Sequence, residues 1–468
     1  MAGKSSQFTK NILASVSVQA LSLLISLLSG FLIPKFIDEY QYAYREIYML
    51  YSTYVGLLHF GLLDGLILRY SAYDYEGLDK ARIRSQFRIL LFSTGALSLL
   101  GIACACVFLS GVWQSIVIFL SIGSFTKNMV TYQSYCFQFT NRIPQYARLV
   151  FVQRLLYGVL IMLFLVLGIN DFRVYCVADL LGDVGAIVIS AYANRKLCVG
   201  RALPLRESAR EWTRNMSAGA ILLLSNLSAS LLLGSAKMII QWRWDELTFG
   251  KVSFAFSITN LFLTFITAIS VVLFPSLKRM EAERLPALYG TIRGAFSPIL
   301  FLLLLGYFPG CMILEQFLPA YRESLYWLGI LLPIVVYSSK VNLLTNNYLK
   351  AYRKERTMLF VNLLSIAVAL LLFLIGAYGF GSLRAVLFCV VAATVIHAIL
   401  SEIMVMKTIG VRLIAPFFKE LFMTAVFMAA VSLFSLWIAC AVYLAFLTVY
   451  LFTERRHLIP ILKKMIRR

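Results

Sequence analysis

Apolar segments long enough to cross a bilayer follow one another along this chain, with few breaks, from residue 11 to residue 453. A helical span needs about 20 mostly apolar residues. Hydrophobic residues make up 60% of the chain and charged residues 14%, whereas ordinary soluble proteins have about 45–50% and about 25%. A soluble fold of this size has no interior for so much apolar surface. The sequence therefore predicts an all-α polytopic membrane protein.

Fourteen segments qualify as transmembrane helices. They lie at 11–34, 46–68, 89–110, 113–136, 149–169, 172–193, 216–240, 252–275, 294–315, 324–347, 358–378, 385–406, 420–436 and 438–453. Only a predicted turn near residues 435–437 separates the last two, so the alternative count is twelve. We expect the first segment to be a permanent span, because it is longer than the apolar region of a signal peptide.

The distribution of Lys and Arg predicts the orientation. With a cytoplasmic N-terminus, 32 of the 43 basic residues fall in cytoplasmic segments, 8 in outer segments and 3 inside spans. Basic residues favour cytoplasmic loops, so both termini are expected in the cytoplasm and the span count is expected to be even. The net charge of +21 is therefore attributed to the basic cytoplasmic segments of a membrane protein, and no nucleic-acid partner is expected.

The longest cytoplasmic loop, 194–215, divides the chain into two halves that resemble each other. Asp38-Glu39 follows the first span and Asp245-Glu246 follows the seventh, each with an aromatic residue four positions past the Asp. Such parallel repeats are a recurrent transporter plan, with the site between the halves. The predicted domains are a six-helix lobe at 1–193, a linker at 194–215, a second six-helix lobe at 216–406, and two extra helices with a basic tail at 407–468.

No enzyme motif is present. The chain has no P-loop lysine motif, no H-E-x-x-H, no nucleophile elbow and no C-x-x-C pair among its eight cysteines. We therefore expect neither catalysis nor a metal or other cofactor. A channel without a familiar selectivity filter stays open as an alternative.

Six ionisable side chains lie inside predicted spans, where each is costly unless it faces a cavity or a partner. They are Asp64, Lys127, Arg154, Asp179, Asp183 and Lys340. Asp179 and Asp183 are four residues apart, so they share one helix face. Salt bridges that only join helices are the alternative explanation for these residues, above all for Asp64, which lies near Arg69 in sequence. Arg69 itself could extend to the interface.

A cluster of cations reached from the inner leaflet suits a diphosphate or another anionic head group. Arginine offers a planar fork that matches phosphate oxygens, and lysine offers a point charge. The sequence therefore predicts Arg154, Lys127, Lys340 and Arg69 as substrate-binding residues. The carboxylates Asp64, Asp179 and Asp183 are predicted to hold H⁺ or Na⁺, or to neutralise the cations.

Four further stretches are informative: GLLDGLILRY at 61–70, QFTNRIPQYA at 138–147, VLFPSLKR at 272–279 and VNLLTNNYLKA at 341–351. They resemble stretches of Wzx-type polysaccharide flippases, which belong to the multidrug/oligosaccharidyl-lipid/polysaccharide exporter superfamily. The resemblance implies twelve to fourteen helices in two lobes around a cationic cavity, as in MATE proteins. It also implies flipping of undecaprenyl-diphosphate-linked oligosaccharide across the bacterial inner membrane, for O-antigen, capsule or exopolysaccharide. The implied partners are membrane lipids, a polysaccharide polymerase and a chain-length regulator, and the implied state is a monomer.

Three other functions stay open at this point. A multidrug antiporter would favour an acidic, aromatic pocket for organic cations, which the three basic residues inside spans would repel. A lipid II flippase shares the helix count. A membrane-embedded glycosyltransferase or polymerase usually needs a large outer loop, whereas the predicted outer loops here have about a dozen residues at most.

Overall fold

The structure is a computed structural model that describes residues 20–71, 73, 75–278, 285–411 and 415–466. Side chains are described outside 265–278, 285, 287, 415 and 456–466. Nearly all of these residues are helical, and no β-strand occurs among them. The described part of the chain divides into two compact units between Ser230 and Leu231, inside a helix. The prediction of an all-α membrane protein is confirmed; residues 11–19 of the first predicted span lie outside the described residues.

The first unit contains the helices numbered α1 to α8 and the N-terminal part of α9. They are α1 (Ala20–Phe36), α2 (Glu39–Val55), α3 (Leu62–Tyr70), α4 (Lys80–Phe108), α5 (Gly111–Phe139), α6 (Ile143–Val166), α7 (Phe172–Ala193), α8 (Arg195–Cys198) and α9 (Leu205–Arg243). Within this unit α5 packs against α2, α3, α4, α6 and α7. Polar side chains on this central helix therefore face protein rather than lipid.

The second unit contains the rest of α9 and the helices α10 to α19. They are α10 (Glu246–Lys278), α11 (Leu285–Leu304), α12 (Tyr307–Phe317), α13 (Arg322–Leu331), α14 (Ile334–Ser339), α15 (Asn346–Ala351), α16 (Glu355–Leu374), α17 (Leu383–Ile409), α18 (Ala415–Leu433) and α19 (Leu436–Ile466). A π-helical turn, Lys340–Thr345, joins α14 to α15. The break between α18 and α19 falls at the turn predicted from the sequence.

Ten described helices are long and apolar enough to cross a membrane, and eleven if one bent pair counts as a single span. In the bent pair, Pro319–Leu331 and Ile334–Ala351 meet at 51° beside Pro333, which cannot donate the helical hydrogen bond. The predicted second span is likewise interrupted, between α2 and α3, where Phe60 and Gly61 have positive φ. The predicted linker, 194–215, is partly helical in the structure, since residues 205–215 belong to the 39-residue helix α9.

The surface is apolar where a soluble protein would be polar. Large side chains such as Phe92, Phe108 and Val166 are each more than 70% exposed. The polar side chains of α5 are buried instead, among them Asn128 and Gln133. This inverted distribution is expected for a helical bundle surrounded by lipid, because polar groups there turn toward the protein interior.

The matched acidic pairs noted in the sequence are helix caps. The Asp38 carboxylate accepts the backbone N–H of Tyr40 at the start of α2, and Asp245 accepts the backbone N–H of Thr248 at the start of α10. The Thr248 hydroxyl also donates to Asp245 and holds the pKa of that carboxyl below its ordinary value. Both pairs therefore begin a helix in the same way, which accounts for their equivalent positions.

Glycine contacts bring α3 and α9 unusually close together. A Cβ atom on Gly65 of α3 would overlap the carbonyl oxygen of Asn215, and one on Gly219 of α9 would overlap the carbonyl oxygen of Gly61. We expect Gly65→Ala to lower the melting temperature of the purified protein, because overpacking costs about 1–3 kcal/mol. Gly95→Ala on α4, whose nearest neighbour would be 3.9 Å away, is the matched control and should leave the melting temperature unchanged or raise it. Equal melting temperatures for both variants would contradict this packing.

Candidate functional site

A polar cavity of about 530 Å³ lies within the first unit. Its wall comes from α2, α3, α5, α6 and α7, from the α2–α3 connection, and from Asn226 of α9. Four of the residues predicted from the sequence line it: Asp64, Lys127, Arg154 and Asp179. The structure therefore brings together on one wall side chains from four different helices.

Asp183 and Arg154 lie near the middle of their helices. Asp183 is eleven residues from the start of α7, and Arg154 is eleven residues from the start of α6, a depth of about 16 Å by helical rise. Close approach of α6 and α7 fixes their relative rotation, because Gly182 leaves no room for a side chain: a Cβ there would be 2.9 Å from the carbonyl oxygen of Gln153. Gln153 and Asp183 are thereby held in contact.

Lys127 joins two carboxylates of α7. Its Nζ atom lies 2.7 Å from Asp179 Oδ2 and 3.4 Å from Asp183 Oδ2. The sequence predicts that these two aspartates share a face, and both contact one cation from α5. The Lys127 side chain is 20% exposed and the Asp183 side chain is fully buried, so the ammonium borders the cavity while Asp183 lies behind its wall.

Each aspartate also accepts a hydrogen bond from an uncharged donor. The Tyr48 hydroxyl of α2 donates to Asp179 Oδ2 at 2.8 Å. Asp183 accepts from the Gln153 amide at 2.7 Å and from the Thr126 hydroxyl at 3.0 Å. Neither carboxylate therefore depends on Lys127 alone for its hydrogen bonding.

Arg154 is the unpaired cation of this wall. Its side chain is exposed, and it makes no hydrogen bond or ion pair with the side chains that the structure describes. Asp179, a carboxylate on the same wall, contacts Lys127 instead. A guanidinium at mid-helix depth in a membrane protein needs water or an anion to replace a protein partner.

Asp64 is the unpaired carboxylate of the same wall. It is 1% exposed, and its Oδ2 atom has no hydrogen-bond partner among the described residues. The nearest titratable nitrogen is His59 Nδ1, at 3.8 Å, which already accepts the backbone N–H of Gly61. Asp64 therefore does not pair with Arg69, the neighbour that its sequence position suggests.

Arg69 lies outside the cavity lining. It donates to Asn215 Oδ1 at 2.5 Å and pairs with Glu211 Oε2 at 3.0 Å, so it joins the end of α3 to α9. Predicted from the sequence as a substrate ligand or an interfacial arginine, it is occupied in this structure by a helix–helix contact.

Lys340 lies in a cluster of buried charges within the second unit. It starts the π-helical turn and contacts Glu420 Oε2 at 2.6 Å and Glu402 Oε2 at 2.9 Å. Arg293 of α11 contacts the same two carboxylates. All four side chains are at most 3% exposed, so two cations and two anions neutralise each other in the interior of this unit.

Sequence reasoning missed the partners of Lys340. Glu402 lies four residues inside the end of the predicted span 385–406, so it met the criterion that selected the other intramembrane charges and was overlooked. Arg293 lies just before the predicted span 294–315 and was counted with a loop, and Glu420 is the first residue of the predicted span 420–436. Among the described residues, no group of three His, Cys, Asp or Glu side chains could hold a metal ion.

No protein-family model and no curated protein sequence matches this chain. Solved structures do match it. An inward-facing multidrug resistance MATE transporter of the MOP superfamily aligns with a TM-score of 0.63 at 15% identity, over 85% of this chain and 98% of the other. Lipid II flippase MurJ, in an inward closed conformation, aligns with a TM-score of 0.64 at 13% identity, over 95% of this chain and 99% of the other. The chain therefore has the fold that MATE transporters and MurJ share.

Proposed function

We propose that this protein is a flippase that moves undecaprenyl-diphosphate-linked oligosaccharide from the inner to the outer leaflet of the bacterial inner membrane by alternating access. The product would serve the synthesis of O-antigen, capsule or exopolysaccharide. The observation that carries the proposal is Arg154, an unpaired guanidinium on the wall of a polar cavity inside an apolar helical unit. A diphosphate supplies the two oxygens that such a fork binds.

Arg154 is the feature of this cavity that supports an anionic substrate. Lys127 adds a second cation, and its aspartate partners are already hydrogen-bonded to uncharged groups. The cavity volume of about 530 Å³ falls in the range of about 300–1,000 Å³ that holds ligands of small to moderate size, enough for a diphosphate and the sugar next to it. The polyprenyl tail would remain in lipid. Membrane lipids are then obligatory partners, while a polymerase and a chain-length regulator would act on the product.

A multidrug antiporter is the second candidate. The observation that favours it is Asp64, a residue of the cavity wall whose buried Oδ2 atom has no hydrogen-bond partner among the described residues, because a carboxylate there would attract an organic cation. The likeness in fold to a multidrug MATE transporter agrees with this candidate. Arg154 on the same wall opposes it, because like charges repel such a substrate. Lipid II, which also carries a polyprenyl diphosphate, is the competing substrate within the flippase class.

The experiment that tests the proposal compares three substrates in one preparation. The purified full chain is reconstituted into vesicles with a fluorescent undecaprenyl-diphosphate oligosaccharide, with fluorescent lipid II, or with a fluorescent organic cation. Transfer between leaflets, or uptake of the cation, is then measured against protein-free vesicles. We expect transfer of the oligosaccharide lipid and no uptake of the cation. Uptake of the cation alone would overturn the proposal, and transfer of lipid II alone would assign the protein to peptidoglycan precursors.

A further inference from the structure

We propose that Lys127 is an exchangeable counter-ion: Asp179 and Asp183 hold its ammonium until an anionic head group binds, and the head group then takes the ammonium from them. The two aspartates thereby compete with the substrate and set its affinity. This inference rests on the proposed function, because it assumes an anionic substrate in the cavity of the first unit.

The first argument is that Lys127 has room to move. Its side chain is 20% exposed on the cavity wall, and a lysine carries its charge on a flexible four-carbon chain. The ammonium can therefore turn from α7 toward the cavity by rotation of its own side chain. Thr131, one helical turn further along α5, also lines the cavity, so this face of α5 borders open volume.

The second argument is that both carboxylates remain hydrogen-bonded when the ammonium leaves. Asp183 retains the donors Gln153 and Thr126, and Asp179 retains the Tyr48 hydroxyl. Loss of a partner is most costly when it leaves a buried polar group without any hydrogen bond. Here the uncharged donors remove that part of the cost of exchange.

The third argument comes from the contrast with Lys340. That lysine is 2% exposed and is held by Glu402 and Glu420 in a cluster with equal numbers of positive and negative charges. Its ammonium therefore has almost no exposed surface from which to reach another anion. The Lys127 side chain is 20% exposed, beside a cavity whose wall also contains the unpaired Arg154. Exchange of the ammonium is therefore open to Lys127 and not to Lys340.

The inference predicts that removing the charge of either aspartate strengthens anion binding. Deleting a binding-site residue usually weakens it. We expect Asp179→Asn to bind inorganic pyrophosphate at least fivefold more tightly than the unmodified protein. The amide keeps an oxygen for the Tyr48 hydroxyl but no longer attracts the ammonium. Asp183→Asn should act in the same direction. Lys127→Ala should bind pyrophosphate at least fivefold more weakly.

The decisive comparison is a double-mutant cycle, measured by calorimetric titration of the detergent-purified full chain with inorganic pyrophosphate. In the Lys127→Ala background, Asp179→Asn should give no further gain in affinity. Glu76→Gln removes the same charge from an exposed loop residue that pairs with Lys80, and it should leave the affinity unchanged. A melting curve for each variant ensures that only folded protein is compared.

Three outcomes would overturn the exchange. The first is an unchanged or weakened affinity for pyrophosphate in Asp179→Asn and Asp183→Asn. The second is a gain in affinity from Asp179→Asn that persists in the Lys127→Ala background. The third is a gain in Glu76→Gln as large as the gain in Asp179→Asn. If neither asparagine variant folds, unchanged pyrophosphate affinity in Lys127→Ala would still overturn it. Failure of the proposed function looks different, because the unmodified protein would then bind no pyrophosphate and transfer no oligosaccharide lipid in vesicles.

Discussion

Replacing Lys340 by alanine is expected to destabilise the protein more than replacing Lys127 or Arg154 by alanine. The variant leaves Glu402 and Glu420 with Arg293 as their only cation, in a cluster that is almost fully buried. Removing one partner from a buried ionic cluster costs about 3–5 kcal/mol, which is a large part of the total stability of a typical protein. Purified yield and melting temperature should both fall sharply.

The control for this prediction is Lys350→Ala, on exposed α15 surface ten residues further along the chain, which should leave both quantities near normal. A compensating variant tests the cause. Lys340→Met combined with Glu420→Gln restores the balance of charge, so it should recover much of the lost melting temperature. A structural role for this cluster would be contradicted if Lys340→Ala melted normally while the double variant was destabilised. Normal oligosaccharide transfer by the recovered double variant would show that Lys340 does not bind substrate.

Replacing Arg154 by alanine is expected to abolish most transport without destabilising the protein. Arg154 has no partner among the described side chains, so its loss leaves no buried charge uncompensated, unlike the loss of Lys340. Truncating one member of a buried charged pair with a ligand costs about 2–5 kcal/mol, so transport should fall by about 30-fold or more. The measurement is surface polymer in a host that depends on this chain, beside the abundance of the protein in membranes.

Two further variants make the prediction about Arg154 specific. Arg154→Lys should restore transport only in part, because lysine keeps the charge and loses the planar fork. Arg148→Ala removes an exposed arginine from the same helix, six residues earlier and outside the cavity lining, and should leave surface polymer unchanged. Loss of abundance in Arg154→Ala, in parallel with polymer, would indicate a structural role instead.

The sequence predicts the helical architecture well because a bilayer demands long apolar segments with every backbone group paired internally. It predicts the breaks less well. Pro333 explains the bend in the tenth predicted span once the helix axes are known. Nothing in the hydropathy signals the irregular connection between α2 and α3, which needs positive φ at Phe60 and Gly61.

The charged site shows the same limit at the level of side chains. The sequence selects Lys127, Asp179 and Asp183 as intramembrane charges, and their cost in lipid justifies that selection. It cannot say whether Lys127 or Arg154 pairs with Asp179, because the answer depends on how α5, α6 and α7 are rotated. Packing at Gly182 constrains the rotation of α7 against α6, and a single sequence does not reveal which glycine makes such a contact.

The central claim is that the cavity of the first unit binds the diphosphate end of the lipid-linked sugar. Its most direct test is photocrosslinking in vesicles with an undecaprenyl-diphosphate oligosaccharide that carries a diazirine on the first sugar. Mass spectrometry then maps the attached residues. We expect labels on cavity-lining residues such as Ser134, Gln138 and Tyr146, removed by excess pyrophosphate and absent in Arg154→Ala. Labels confined to residues outside this cavity, or labels unaffected by pyrophosphate, would contradict the claim.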